Sequence, residues 1–186
     1  MIYVIIAIAV IVLLGIFFVV GFNKLRKYDV GAEEALGGID VQLTRRADLI
    51  PNLVQTVKGY AAHESGVFEE ITKARAGVSA AAAGDDVPAK AAADAALQQA
   101  LVKVNAVAEA YPDLKADANF RDLQDQLGKT EDQIAFARQY YNDATAQLNQ
   151  AVRTIPWMFF SGVAGVKERE FYDAPAEHTA APGVEF

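Results

Sequence analysis

The chain has 186 residues, 53% of them hydrophobic, with 24 acidic and 17 basic side chains, a net charge of −7 and no cysteine. The missing thiols exclude a disulfide framework, a thiolate metal site, a cysteine nucleophile and a lipidated N-terminal cysteine. The acidic balance argues against nucleic acid, because phosphate contacts need clustered Lys and Arg.

The chain opens with a charge-free run from Ile2 to Phe22, IYVIIAIAVIVLLGIFFVVGF. As a helix rising about 1.5 Å per residue, such a run spans about 30 Å, the hydrocarbon thickness of a bilayer. A helix also pairs every backbone polar group internally, as lipid requires. The alternative is a cleaved signal peptide. It fits poorly, because no basic region precedes the run, the run is long for a signal core and no small-x-small site follows. Residues 1–23 therefore read as a single transmembrane anchor, and the lipid bilayer is the first expected partner. Lys24, Arg26 and Lys27 follow the span directly and suit the membrane interface. The positive-inside rule then places the N-terminus outside and the following domain in the cytoplasm, in a bacterial inner (cell) membrane.

Beyond the anchor there is almost no strand signal, and the composition favours helix. A first long helix is expected over residues 30–81. Leu36, Ile39, Leu43, Ile50, Leu53, Val57, Tyr60, Val67, Ile71, Ala74 and Val78 lie three or four apart, or at sums of these spacings. Pro51 predicts a kink in it, since proline lacks an amide hydrogen and clashes with the preceding turn. Gly37-Gly38 is a second weak point. Gly84 and Asp85-Asp86-x-Pro88 predict a cap, a short connection and a second helix over residues 88–111, with Leu97, Leu101, Val104 and Ala108 on one face. Tyr111-Pro112 ends it. A third helix is expected over residues 119–155. Its seam of Phe120, Leu123, Leu127, Thr130, Ile134, Ala137, Tyr141, Ala144, Leu148, Ala151 and Ile155 holds a strict three-four spacing, which implies a left-handed, coiled-coil-like surface. Gly128 weakens it locally, and Thr130 with Gln133 could cap a break there. The expected fold is all-α: one transmembrane helix, then an antiparallel up-and-down bundle of three to four long helices over residues 24–172, with residues 173–186, rich in Ala, Pro and Glu, as a flexible tail.

Three phrases stand in order behind the anchor: QLTRRADLIPNLVQTVKGYAAHE (42–64), VAEAYPDLKADANFRDLQDQL (107–127) and TEDQIAFARQYYNDATAQLNQAV (130–152). Together they resemble the LemA family of membrane-anchored helical proteins over about residues 25 to 172. Arg45, Arg46, Asp48, Pro51, Asn52 and Leu53 match the first motif, with Tyr60, His63 and Glu64 at its end. Tyr111, Pro112 and Lys115 match the second, and Glu131, Arg138, Tyr141 and Asn142 the third. The resemblance implies a transmembrane helix followed by a helical bundle, with no established enzymatic activity. Some relatives contribute to magnetosome membrane formation, and others are encoded beside a membrane metalloprotease or a TPM-domain protein. Two features depart from the pattern. Trp157-Met158-Phe159-Phe160 follows Pro156 where the family usually has asparagine or serine, and Gly128 stands where a helix former is common.

His63-Glu64 invites a zincin reading, but that motif needs a second histidine four residues on, and position 67 is valine. The other histidine, His178, lies in the tail. No phosphate loop, dinucleotide fingerprint or nucleophile elbow is present. No catalytic, cofactor-binding or metal residues are assigned, and no cofactor is expected. Arg46 and Glu64 fall on an apolar stripe, where a charge must be paired or must reach solvent. Either both emerge at the bundle edge, or they form a polar layer with Glu131, Arg138, Tyr141 and Asn142 that fixes register or oligomeric state. Arg45-Arg46 lies about 30 Å of helix past the membrane, beyond a Debye length, so lipid contact there is disfavoured. Trp157, Met158, Phe159 and Phe160 form an apolar patch, read either as a core plug or as a surface for membrane or partner. The functional expectation is a non-catalytic, self-associating (homo-oligomeric) scaffold that organises membrane proteins. The alternative is an accessory subunit of a membrane protease or envelope quality-control system, with the protease or a TPM-domain protein as partner.

Overall fold

A computed structural model describes residues 1–172, so the expected tail, residues 173–186, lies outside the described residues. All regular structure among the described residues is helical: α1 (Ile2–Lys58), α2 (Ser65–Ala82), α3 (Val87–Ala110), α4 (Pro112–Ala116), α5 (Ala118–Arg153) and α6 (Met158–Ala164). The chain divides into two compact units. One comprises residues 1–36 and 139–171, and the other residues 37–138 together with Tyr172.

In the larger unit, α1 from Gly37 onward, α2, α3 and α5 up to Arg138 run alternately up and down. The cross-helix pairs set these directions. The Arg75 side chain of α2 donates to the Ala47 carbonyl of α1 at 3.0 Å, and Lys58 stacks on the Phe68 ring, so the partner number falls on α1 as it rises on α2. Lys103 meets Glu70 across the α2–α3 hairpin, and Gln124 meets Asn105 across α3–α5. The seam is built from Ile39, Leu43, Ile50, Leu53, Val57, Ile71, Val78, Leu97, Val104 and Ile134, all at most 1% exposed. Each such side chain is worth about 1.5–3 kcal/mol of burial.

The boundaries of the first helix differ from expectation. The anchor and the first bundle helix are one helix, Ile2–Lys58, which passes through Gly37-Gly38 and Pro51 and ends at Lys58 instead of continuing to residue 81. Pro51 is exposed, so its ring stands in open space. Its missing N–H leaves the Ala47 carbonyl without its helical donor. The Arg75 guanidinium supplies that bond, which is how the helix survives the proline. The real break is the turn at residues 59–64. There Ala61, not Tyr60, is buried, and the Tyr60 hydroxyl instead donates to Asp117 at 3.0 Å. Asp117 also accepts from the Phe120 N–H at 2.9 Å, capping α5. At Gly128, α5 is unbroken. The Thr130 hydroxyl bonds back to the Gln126 carbonyl at 2.8 Å and does not cap a new helix. Asp86 caps α3 by accepting from the Ala89 N–H at 3.0 Å.

In the smaller unit, residues 2–20 of α1 are exposed throughout, and this is the one helix among the described residues long and apolar enough to cross a membrane. Past it, Leu25 and Ala32 of α1 pack with Leu148 and Ala151 of α5, Phe160 and Ala164 of α6, and Val166. α6 ends at Gly165, whose φ of 66° is left-handed and suits glycine. The extended segment that follows is tied to α5. The Asn149 amide donates to the Arg169 carbonyl and accepts from the Arg169 N–H, both at 2.9 Å, and the Tyr141 hydroxyl donates to the Glu170 carbonyl at 2.8 Å.

Candidate functional site

The larger unit holds a charged cluster in an otherwise apolar interior. Arg46 is on the buried face of α1 between Leu43 and Ile50, with its side chain 3% exposed. It donates to the Asp94 carboxylate at 2.9 Å and also bonds Gln98, both on α3. Glu131 of α5 lies 2.8 Å from the same guanidinium nitrogen but outside hydrogen-bond geometry, so it contributes charge more than a directed bond. The second Asp94 oxygen accepts from Arg138 of α5, whose guanidinium stacks on the Tyr172 ring at 5.3 Å. Two cations face two anions and the cluster is neutral. A second buried pair sits beside it in sequence: Lys90, 0% exposed, bonds Asp40 of α1 and reaches the Ala82 carbonyl at 3.4 Å.

Burial governs the electrostatics. It holds the Arg46 guanidinium below the usual arginine range, with Glu131 and then Tyr172 opposing. It lowers Arg138 likewise, against the pull of Tyr172. The Tyr172 phenol is pushed up by burial, with Arg138 opposing, and Asp40 is raised by burial against its bond to Lys90. Desolvation exceeds attraction at each, as expected for charges held in a low-dielectric seam.

Of the polar residues singled out in the sequence, Arg46, Glu131 and Arg138 come together. Glu64 does not join them: with α1 ending at Lys58, the stripe that seemed to carry it is interrupted, and it stands half-buried before α2. Tyr141 belongs to the smaller unit, where it is buried and holds residue 170, and Asn142 is half-buried beside it. His63 is exposed in the turn before α2. The members sequence reasoning missed are Asp94, Gln98, Lys90 and Asp40. A signal for two of them existed. The α3 seam extends back from Leu97 in strict three-four steps to Asp94, Lys90 and Val87, all buried.

The membrane-flanking residues lie in the smaller unit. The Lys24 ammonium sits over the Trp157 ring at 4.4 Å, Arg26 pairs with Asp29 at 3.1 Å, and Lys27 is exposed. The apolar patch splits in two. Phe160 is buried and Trp157 half-buried, whereas Met158 is 42% and Phe159 68% exposed.

The model of the LemA family matches residues 35–186. The chain is 27% identical over 172 residues to Magnetosome protein MamQ of Magnetospirillum gryphiswaldense, covering 80% of this chain and 63% of that protein. It is 27% identical over 164 residues to Magnetosome proteins MamQ 1 and MamQ 2 of Paramagnetospirillum magneticum, covering 75% of this chain and 60% of each. The chain thus spans about six-tenths of the length of these curated relatives.

Proposed function

This chain belongs to the LemA family, and from that membership we propose that it is a membrane-tethered helical scaffold that self-associates or organises partner membrane proteins, acting by association and not by catalysis. The observation that carries the reading is the buried Arg46–Asp94 pair of the charged cluster. Arg46 and Asp94 are 3% and 2% exposed and face one another across α1 and α3, so their charge is directed into the bundle. Buried ion pairs add little net stability over apolar residues of equal volume, and their best-attested use is to fix register. A protein that must hold a defined helical surface for a partner gains from such a device. The membrane helix keeps that surface at the bilayer, and the naming of its relatives as magnetosome proteins supports a membrane-linked assembly role.

We place the anchor in the bacterial inner membrane, N-terminus outside and the helical domain in the cytoplasm, on the strength of Lys24, Arg26 and Lys27 after the span. Protease accessibility of a C-terminal tag in intact cells tests this: a cytoplasmic domain is protected until the cells are opened. Crosslinking in native membranes, followed by mass measurement in mild detergent, tests the scaffold. Homo-oligomers or a defined set of membrane partners support it. A monomer that captures only a membrane protease would replace it with an accessory-subunit role.

A further inference from the structure

Two faces of α6 point to a second membrane attachment. The inner face is fixed by the end of the anchor. Phe160 packs edge-on against Phe17 at 5.3 Å and Phe18 at 5.7 Å between centroids. It also lies so close to Gly21 that a Cβ there would stand 2.7 Å from the ring. Trp157 stacks on Phe17 at 6.3 Å while receiving Lys24 on its face. Phe17, Phe18 and Gly21 belong to the charge-free run that crosses the bilayer, and Lys24 is the first charge beyond it. At about 1.5 Å per residue, Gly21 and Phe17 lie about 5 and 10 Å along the helix from Lys24. That is the depth, about 5–10 Å, at which interfacial helices bury their apolar face.

The outer face is apolar and open. Met158, Phe159 and Val163 are 42%, 68% and 64% exposed, and Ile155, in the turn before α6, is 73% exposed. Residues 155–166 carry no charged side chain, and the nearest charges in sequence, Arg153 and Lys167, are both basic. An apolar stretch of this length is too short to span, and lying in the interface is one of its ordinary fates. Arg153 is paired with Glu168, and the tryptophan at the level of Lys24 is the usual arrangement at the headgroup boundary.

We propose that the α5–α6 turn and α6, residues 155–166, form a monotopic membrane element. It would dip into the leaflet at the C-terminal end of the anchor, with Phe159 and Val163 among the acyl chains and Trp157 at the headgroups. The occupant of the outer face is lipid because that face continues the exposed apolar band of the anchor at the same depth. The inference rests on the membrane-spanning helix and not on the scaffold reading.

The chain lacks cysteine, so single cysteines can be placed and labelled with an environment-sensitive fluorophore in the full protein reconstituted in phosphatidylcholine–phosphatidylglycerol vesicles. Phe159→Cys and Val163→Cys are the tests, Ile11→Cys reports the anchor, and Val102→Cys, 60% exposed on α3, reports water. The expected result is blue-shifted emission at 159 and 163, quenching by lipid-borne bromine, and several-fold less quenching by aqueous iodide than at 102. If the label at 11 is in lipid while those at 159 and 163 are as iodide-accessible as that at 102, the proposal fails and the scaffold reading is untouched. Shielding from iodide without bromine quenching, relieved by lowering the protein-to-lipid ratio, would overturn it in favour of a second copy. A scaffold that does not associate, yet shows bromine quenching at 159 and 163, would leave the membrane element standing. All the substituted side chains are exposed, and unchanged helical circular dichroism checks that each variant is folded.

Discussion

Asp94→Ala is the sharpest test of the charged cluster. Asp94 is 2% exposed and accepts from both Arg46 and Arg138, so its removal strips two guanidinium groups of their shared anion. Breaking a buried pair by deleting one partner costs about 3–5 kcal/mol. The low end applies here. Arg46 keeps Gln98 and the neighbouring charge of Glu131, and Arg138, with its side chain 21% exposed, has a route to water. A loss of about 3 kcal/mol, at a urea slope of about 2 kcal/mol per molar, moves the unfolding midpoint down by about 1.5 M. Far-UV circular dichroism of the full chain in mild detergent reads the shift. Asp94→Asn keeps the shape and one acceptor but not the charge, and should fall between wild type and Asp94→Ala. The double variant Arg46→Met with Asp94→Leu replaces charge by apolar volume and should recover part of that loss, because the desolvation penalties of Arg46 and Asp94 leave together while Arg138 loses its anion. If Asp94→Ala lowers the stability by less than about 0.5 kcal/mol, a midpoint shift of about 0.25 M, or if the two substitutions of the double variant simply add, the cluster is not a coupled buried network.

The repair at Pro51 is testable by a cycle. Arg75→Ala should cost about 2 kcal/mol in wild type, since it removes a charged donor from the Ala47 carbonyl, and markedly less on a Pro51→Ala background whose amide restores the helical bond. Asp117 is held below the ordinary aspartate range by the Phe120 N–H first and the Tyr60 hydroxyl second. A lowered carboxyl contributes stability that is full above its unfolded value and lost as pH falls through the folded one. The melting-temperature deficit of Asp117→Ala should therefore shrink as pH drops below the ordinary aspartate value, and a pH-independent deficit would contradict this. Asn149→Ala removes both bonds to residue 169 and should cost about 1–2 kcal/mol, read as faster limited proteolysis after residue 165 with α5 intact.

Much of the fold was readable because the helical seams are long. On α5, Phe120, Leu123, Leu127, Thr130, Ile134, Tyr141, Leu148 and Ala151 are all buried, and Ala137 and Ala144 half-buried. Only Ile155, past the end of the helix, is exposed. The same reasoning failed between residues 58 and 65 for an identifiable reason. A tight turn between antiparallel helices can leave the three-four count looking whole, with Tyr60 standing where an apolar residue was expected. The count cannot distinguish a helix that continues from one that folds back with its register preserved. Proline does not end the helix, as the unbroken stripe implied. Its effect on a helix depends on whether another side chain can take the orphaned carbonyl, and Arg75 is 28 residues away from Ala47 in sequence.

The charged cluster was half legible, and the missing half follows from how seams are read. Arg46 was conspicuous because a charge interrupted an apolar stripe. Asp94 and Lys90 went unseen because the α3 seam was begun at its first large apolar residue, Leu97, so charges at its head looked like a solvated helix start. Counting back by three and four places both on the buried face with Val87. A charge on one seam is itself evidence for an opposite charge on a facing seam, because an unpaired buried ion costs several kcal/mol. Arg46 therefore demands a carboxylate on a facing seam of one of the other helices. The long helix downstream supplied Glu131, which is 37% exposed, whereas the partner that is buried, Asp94, lies on α3. In helical bundles with patterns this regular, the most informative positions are the polar residues that keep the apolar count, since each one names a facing helix that must carry its complement.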